Sequence, residues 1–157
     1  MRGDVGAVMT ALAEHRPVFH SEADFQHALA WQLQKADPAA RIRLETRPGR
    51  GTRLDVLVTS DGIRTAIELK YLVRRFQGVL DGEQFDLPDQ SAHDISHYDV
   101  IKDVARTESF VAEGFADIGL VVVLTNDPAY WRAGRATETI DAQLRLHEGR
   151  VLEGALG

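Results

Sequence analysis

Three charged side chains stand in segments that otherwise read as buried strands. Asp55 lies within the apolar run "RLDVLVTS" (53–60), and Glu68 and Lys70 lie within "RTAIELKYL" (64–72). Two carboxylates brought together in partly desolvated surroundings repel, and a shared proton or a bound cation relieves them. Oxygen donors of this kind suit Mg²⁺ or Mn²⁺, which keep several waters for chemistry. Such an ion acidifies water and stabilises charge developing on a phosphoryl group. A lysine one strand step away can orient or deprotonate the attacking water. Metal-assisted attack of water on a phosphoryl group is therefore the chemistry to which this trio points.

The trio works only if its strands are neighbours. Side chains alternate across a strand, so Glu68 and Lys70 share one face while Ile67, Leu69 and Tyr71 share the other. In the preceding strand Asp55 lies opposite the Leu54–Val56–Val58 face, and Asp61-Gly62 between the two strands is a strong two-residue hairpin signal. Asp55 and Glu68 can then meet on one face with Lys70 beside them. A third strand is expected at "RIRLET" (41–46), separated by "PGRG".

Helices are expected on either side of this group in the sequence. Residues 4–15 read as a short helix ended by Pro17. A longer one follows Ser21, which sits at the N-cap with Asp24 in the capping-box position, and runs to about Ala36. Phe25, Leu29, Leu33 and Ala36 form its apolar stripe, into which Glu22 also falls. "QGVLDGEQFDLPD" (77–89) reads as a long acidic loop or flap. A second long helix is expected from Gln90 to a stop at Gly114, then "IGLVVVLT" (118–125) as a strand covered on both faces. Beyond it, "TETIDAQL" reads as a helical turn and "LRLHEGRVLEGAL" as a hairpin around Glu148-Gly149. The apolar stub at the end suggests that the C-terminal part is truncated. The whole, 1–157, is expected as one domain with its core at about 21–125.

Asp55, twelve intervening residues, then Glu68-Leu69-Lys70 resembles the PD-(D/E)XK nuclease superfamily, and the order αβββαβ from Ser21 to Thr125 is that superfamily's core order. The resemblance implies an α/β protein with a restriction endonuclease-like mixed sheet flanked by helices. It implies that Asp55, Glu68 and the Leu69 carbonyl hold Mg²⁺ or Mn²⁺ and that Lys70 serves the water. Some members add a glutamate from the first core helix, and Glu22 occupies the corresponding place. Leu54 departs from the pattern, standing where many members have proline. Because an acidic-x-Lys triplet is common by itself, the weight rests on its place in a strand and on the element order.

Net charge is −6, yet residues 41–75 hold nine basic and four acidic residues. That local footprint matters for a polyanion. Arg47, Arg50 and Arg53 are the expected phosphate grip; a charged sheet edge that discourages aggregation is the other reading. "HDISH" places His93 and His97 one helical turn apart, but aspartate is too short for the general base of a His-Glu-x-x-His zinc site and no third ligand is evident. On a helical wheel Gln90, His93, Asp94, His97 and Glu108 share a side with Val100, Ile101, Val104 and Ala105. A helix polar at one end of its buried face borders a wet cleft, where Gln90, His93 and His97 would touch substrate, or else carries a satisfied polar core.

The expected function is a Mg²⁺-dependent nuclease acting on DNA more than RNA. A catalytically silent module that binds nucleic acid or a protein partner is the alternative, and a homodimer is left open. The chain has no cysteine, no signal-like leader and no apolar run near the roughly 20 residues of a membrane span, so a cytoplasmic protein with no membrane partner is expected.

Overall fold

Local signals at the chain's turns and caps account for most of its elements. The structure, a computed structural model, describes residues 4–49, 51–89 and 93–132. Helix α1 spans Val5–His15 and is capped by Asp4, whose Oδ1 accepts from the Gly6 N–H at 2.9 Å. Helix α2 spans Glu22–Ala36, with Ser21 Oγ accepting from the Asp24 N–H at 3.1 Å. Asp24 reaches back to the N–H of His20 at 3.0 Å and is gripped through both oxygens by Arg16, a variation on the expected capping box. Phe25, Leu29 and Leu33 are buried as the stripe requires, whereas Ala36, the last residue of the helix, is exposed.

Strands β1 (Arg41–Thr46), β2 (Leu54–Ser60) and β3 (Ile63–Leu72) form an antiparallel meander. The turn into β3 carries positive φ at Asp61 (49°) and Gly62 (80°), the primed geometry that matches strand twist. Residues 77–89 correct the sequence expectation of a loop. They contribute to a second hairpin, β4 (Phe76–Leu80) and β5 (Glu83–Leu87), turned at Asp81 and Gly82 with the same pair of positive φ values, 51° and 84°. The polar composition concealed a turn signal identical to that at Asp61-Gly62.

Helix α3 covers His93–Ala112 and closes in a Schellman motif. The Phe115 N–H reaches the Phe110 carbonyl at 2.9 Å, the Gly114 N–H reaches Val111 at 3.0 Å, and the two phenyl rings sit 5.7 Å apart. Strand β6 (Ile118–Thr125) joins the first sheet, whose order is β1-β2-β3-β6. Asp117, just before β6, accepts the Arg64 N–H on Oδ2 at 2.7 Å and donates its own N–H to the Arg64 carbonyl at 2.8 Å. Thus β6 starts level with β3 and runs the same way, which makes the sheet mixed. The expectation that β6 is covered on both faces is corrected, for it is half-buried along most of its length and Ile118 is 42% exposed. A 3₁₀ turn, η1 (Pro128–Tyr130), follows. The turn and hairpin expected near the C-terminus lie outside the described residues.

The chain gathers into two compact units. Of the described residues, one holds those through Tyr71 together with Asp103–Leu124, and the other holds those of 72–102 and of 125–132. In the first, the rings of Phe19, Phe25 and Tyr71 pack in tilted and edge-to-face contacts with centroids 5.2–6.3 Å apart, which ties α2 to Tyr71 of β3. Leu54, Ala66, Phe110 and Ala116 form a further core with Leu57 and Phe115 against it. At Gly119 β6 passes close under α3, since a Cβ there would lie 2.9 Å from the Cβ of Thr107.

Candidate functional site

The β2–β3 register determines whether the strand charges meet. Regular pairing ends at Val56↔Ile67, and the residues one step on are Asp55 and Glu68. Asp55 turns its carboxylate across the gap, where Oδ2 accepts the Leu69 N–H at 2.7 Å. On the other side of β2 the ladder skips Glu45, which has a φ of 54°, a left-handed conformation that costs a non-glycine residue about 1 kcal/mol or more. Gln26 on α2 fills the break, with Nε2 donating to the Asp55 carbonyl and to Glu45 Oε1, both at 2.9 Å. Asp55 is thus held through its side chain and its backbone, at a local disruption of the kind that often re-aims a side chain beside a functional site.

Glu68 is 2% exposed, and its Oε1 accepts from Arg106 Nε at 2.9 Å. Arg106 also donates from Nη2 to Asp103 Oδ1 at 2.6 Å, and Asp103 Oδ2 lies 3.0 Å from Lys70 Nζ. Glu68, Arg106, Asp103 and Lys70 therefore form one chain of alternating charge between β3 and α3. Sequence reasoning buried Val100 and Ile101 correctly but missed Asp103 and Arg106 because it set the edge of the inward face of α3 on the wrong side. The expected inward stripe included Ala105 and Glu108, which are exposed, while Asp103, Thr107 and Phe110 are buried. The available signal was the i, i+3 acid–base pair, matching Lys70 and Glu68 in reverse order.

Glu22, at the first position of α2, accepts the Tyr71 N–H on Oε2 at 3.0 Å. Together with Ala23, Gln26, Glu45, Asp55 and Leu69 it lines a small pocket of about 100 Å³. Three expected site residues, Glu22, Asp55 and Leu69, thus share one cavity, and Glu68 and Lys70 lie outside its lining.

Electrostatics bind these contacts into one cluster. Burial pushes the Glu68 carboxyl up to about 7, and although Arg106 opposes this, Asp55 adds to it by charge and by a hydrogen bond. Glu22 is exposed as a residue, yet partial desolvation of its carboxyl raises it, against the Tyr71 amide and Lys70. Burial alone would lower the Lys70 ammonium, but Asp103, Glu22 and Asp55 outweigh it and hold it above its ordinary value. With all groups ionised, four carboxylates (Glu22, Asp55, Glu68, Asp103) face two cations (Lys70, Arg106), a net charge of −2. Among the described residues no three His, Asp or Glu side chains form a closed metal-ligand group. A small hard divalent ion does not require one, since one or two carboxylates with water and phosphate oxygens satisfy it. Asp55 and Glu68 fit that donor chemistry.

The expected substrate-binding residues divide. Arg47 is exposed on the stretch after β1. Arg53 is exposed and pairs with Glu45 at 3.1 Å. Arg50 and Gln90 lie outside the described residues, as does the side chain of His93. His97, for which the sequence left a wet cleft and a satisfied polar core as alternatives, is 2% exposed, with its ring 4.9 Å from that of Tyr130 in the second unit. Burial of this kind suits the polar-core reading of the helix. No helix among the described residues is long and apolar enough to cross a membrane. No family model, curated protein or solved structure matches the chain.

Proposed function

We propose that this chain is a Mg²⁺- or Mn²⁺-dependent nuclease of the PD-(D/E)XK kind, acting on DNA in preference to RNA. The observation that carries the reading is the meeting of Asp55 and Glu68 at the end of the β2–β3 ladder, inside a cluster where four carboxyl groups face two cationic side chains. The order α2-β1-β2-β3-α3-β6 and the mixed sheet support the restriction endonuclease-like arrangement, with β4–β5 as an insertion.

Asp55, Glu68 and the Leu69 carbonyl would hold the ion, which when bound supplies a Lewis acid for the phosphodiester and acidifies water. Lys70 remains an ammonium at neutral pH because Asp103 holds it so. Its part is to orient the water and meet negative charge on the phosphate, rather than to take a proton. Glu22 braces the β3 end at Tyr71 and adds a carboxylate to the rim. Arg47, Arg50 and Arg53 grip the backbone electrostatically.

One observation favours the silent-module reading. Glu68 and Lys70 are already compensated by Arg106 and Asp103, so their burial does not require a metal. Supercoiled plasmid, linear duplex, single-stranded and branched DNA, each incubated with the protein in Mg²⁺ or Mn²⁺, separate the two. Cleavage by the parent and not by Lys70→Ala supports the nuclease, binding without cleavage supports the module, and neither binding nor cleavage overturns both nucleic-acid readings.

A further inference from the structure

We infer that Asp103 and Arg106 are positioning residues of the site, clamping both charged ends of the Glu68-Leu69-Lys70 triplet from one turn of α3. The inference rests on the nuclease reading and deepens it. Residues three apart on a helix share a face, and here both address β3: Arg106 Nε to Glu68 at 2.9 Å, and Asp103 Oδ2 to Lys70 at 3.0 Å. Their mutual contact at 2.6 Å closes the set, so neither β3 charge can swing without disturbing the other.

Stability alone is a poor reason for this arrangement. A buried ion pair adds little over apolar residues of similar volume, and α3 uses such packing one turn later at Phe110. What an apolar pair would lack is the ability to aim a carboxylate and an ammonium. Arg106 also acts as a resident counter-cation on the carboxylate that a divalent ion would share. Metal and arginine therefore oppose each other electrostatically at Glu68, and removing the arginine should favour the metal while leaving its carboxylate poorly aimed.

The test measures Mn²⁺ binding calorimetrically on metal-free protein and turnover on plasmid DNA, for the parent, Arg106→Gln and Asp103→Asn, with folding checked by thermal melts. Arg106→Gln should bind Mn²⁺ more tightly yet turn over about 10–100-fold more slowly. Asp103→Asn should lose turnover by a similar factor with little change in Mn²⁺ affinity. A merely structural role would lower the melting temperature and leave the turnover and Mn²⁺ affinity of the folded protein unchanged, which overturns the clamp. If the neutral variants do not fold, Arg106→Lys and Asp103→Glu keep the charges and displace them. Slowed turnover in those folded variants supports the clamp, and unchanged turnover overturns it. If the parent itself neither binds Mn²⁺ nor cleaves, the nuclease reading falls and takes the clamp with it; if the parent cleaves and every variant matches it, only the clamp falls.

Discussion

Arg106–Glu68 and Arg53–Glu45 join the same two residue types at nearly the same distance, 2.9 and 3.1 Å. Their surroundings differ: the side chains of the first pair are 34% and 2% exposed, those of the second 62% and 43%. At the surface, water already solvates both partners and the pair contributes about 0–1 kcal/mol. Against the sheet, Glu68 has lost its water, so its ionisation depends on Arg106 and is opposed by Asp55. Distance therefore says little about what a charge pair does; desolvation decides whether it is ornament or a constraint on chemistry.

The largest expected effect tests the buried side of this contrast. Lys70→Ala should slow DNA cleavage by about 10²–10³-fold, the loss typical when one preorganised positive group is removed from a reacting centre. Single-turnover assays in saturating Mg²⁺ check it, and cleavage at the parent rate would remove Lys70 from the site.

Next comes a pH effect. Glu68 holds its proton more tightly in the folded chain, to about 7, than at its ordinary value of 4.5. As pH rises through that window the unfolded chain gives up the proton first, so the folded state loses stability, by on the order of 3 kcal/mol in metal-free buffer, and the contribution is flat above about pH 7. Urea unfolding of the parent and Glu68→Gln from pH 4.5 to 8 should show this decline in the parent relative to the variant. A difference that instead grows in the parent's favour would make Glu68 an ordinary ion-pair carboxylate.

Breaking the two arginine pairs gives the direct comparison. At pH 8, Arg106→Gln should destabilise the chain by about 1–3 kcal/mol, because an ionised, buried glutamate loses a charge-assisted hydrogen bond. Near pH 5.5, where Glu68 carries its own proton, the cost should shrink. Arg53→Gln should change stability by no more than about 0.5 kcal/mol at either pH. Equal costs for the two variants would erase the distinction.

The smallest effect belongs to the exposed arginines proposed as a phosphate grip. Arg47→Gln and Arg53→Gln should each reduce the salt dependence of DNA binding by about one unit of log–log slope, without changing sequence preference. Fluorescence anisotropy across a salt series measures this, and unchanged slopes would place the binding surface elsewhere.

Elements whose cause is local were legible. Ser21, the α2 stripe from Phe25 to Leu33, the Asp61-Gly62 turn and the stop at Gly114 all act through neighbours in the chain. The second hairpin carried its signal at Asp81-Gly82, hidden by acidic surroundings. Strand β6 misled through composition, since a continuous apolar run reads as covered on both faces while the described structure leaves it half-buried.

By itself the sequence determined that Asp55, Glu68 and Lys70 alternate onto one side of two strands joined by a tight turn, because side-chain direction in a strand follows from the backbone period. It did not determine how α3 is rotated or what the charges meet there. Tertiary packing brought Asp103 and Arg106 inward, joined them to Lys70 and Glu68, and placed Gln26 on the Asp55 carbonyl. These contacts join residues 29 to 38 positions apart, and no local pattern encodes them. A desolvated charge is stable only beside its partner, so the contacts of Asp103 and Arg106 act together with the burial of Phe110 on the face of α3 that meets the sheet.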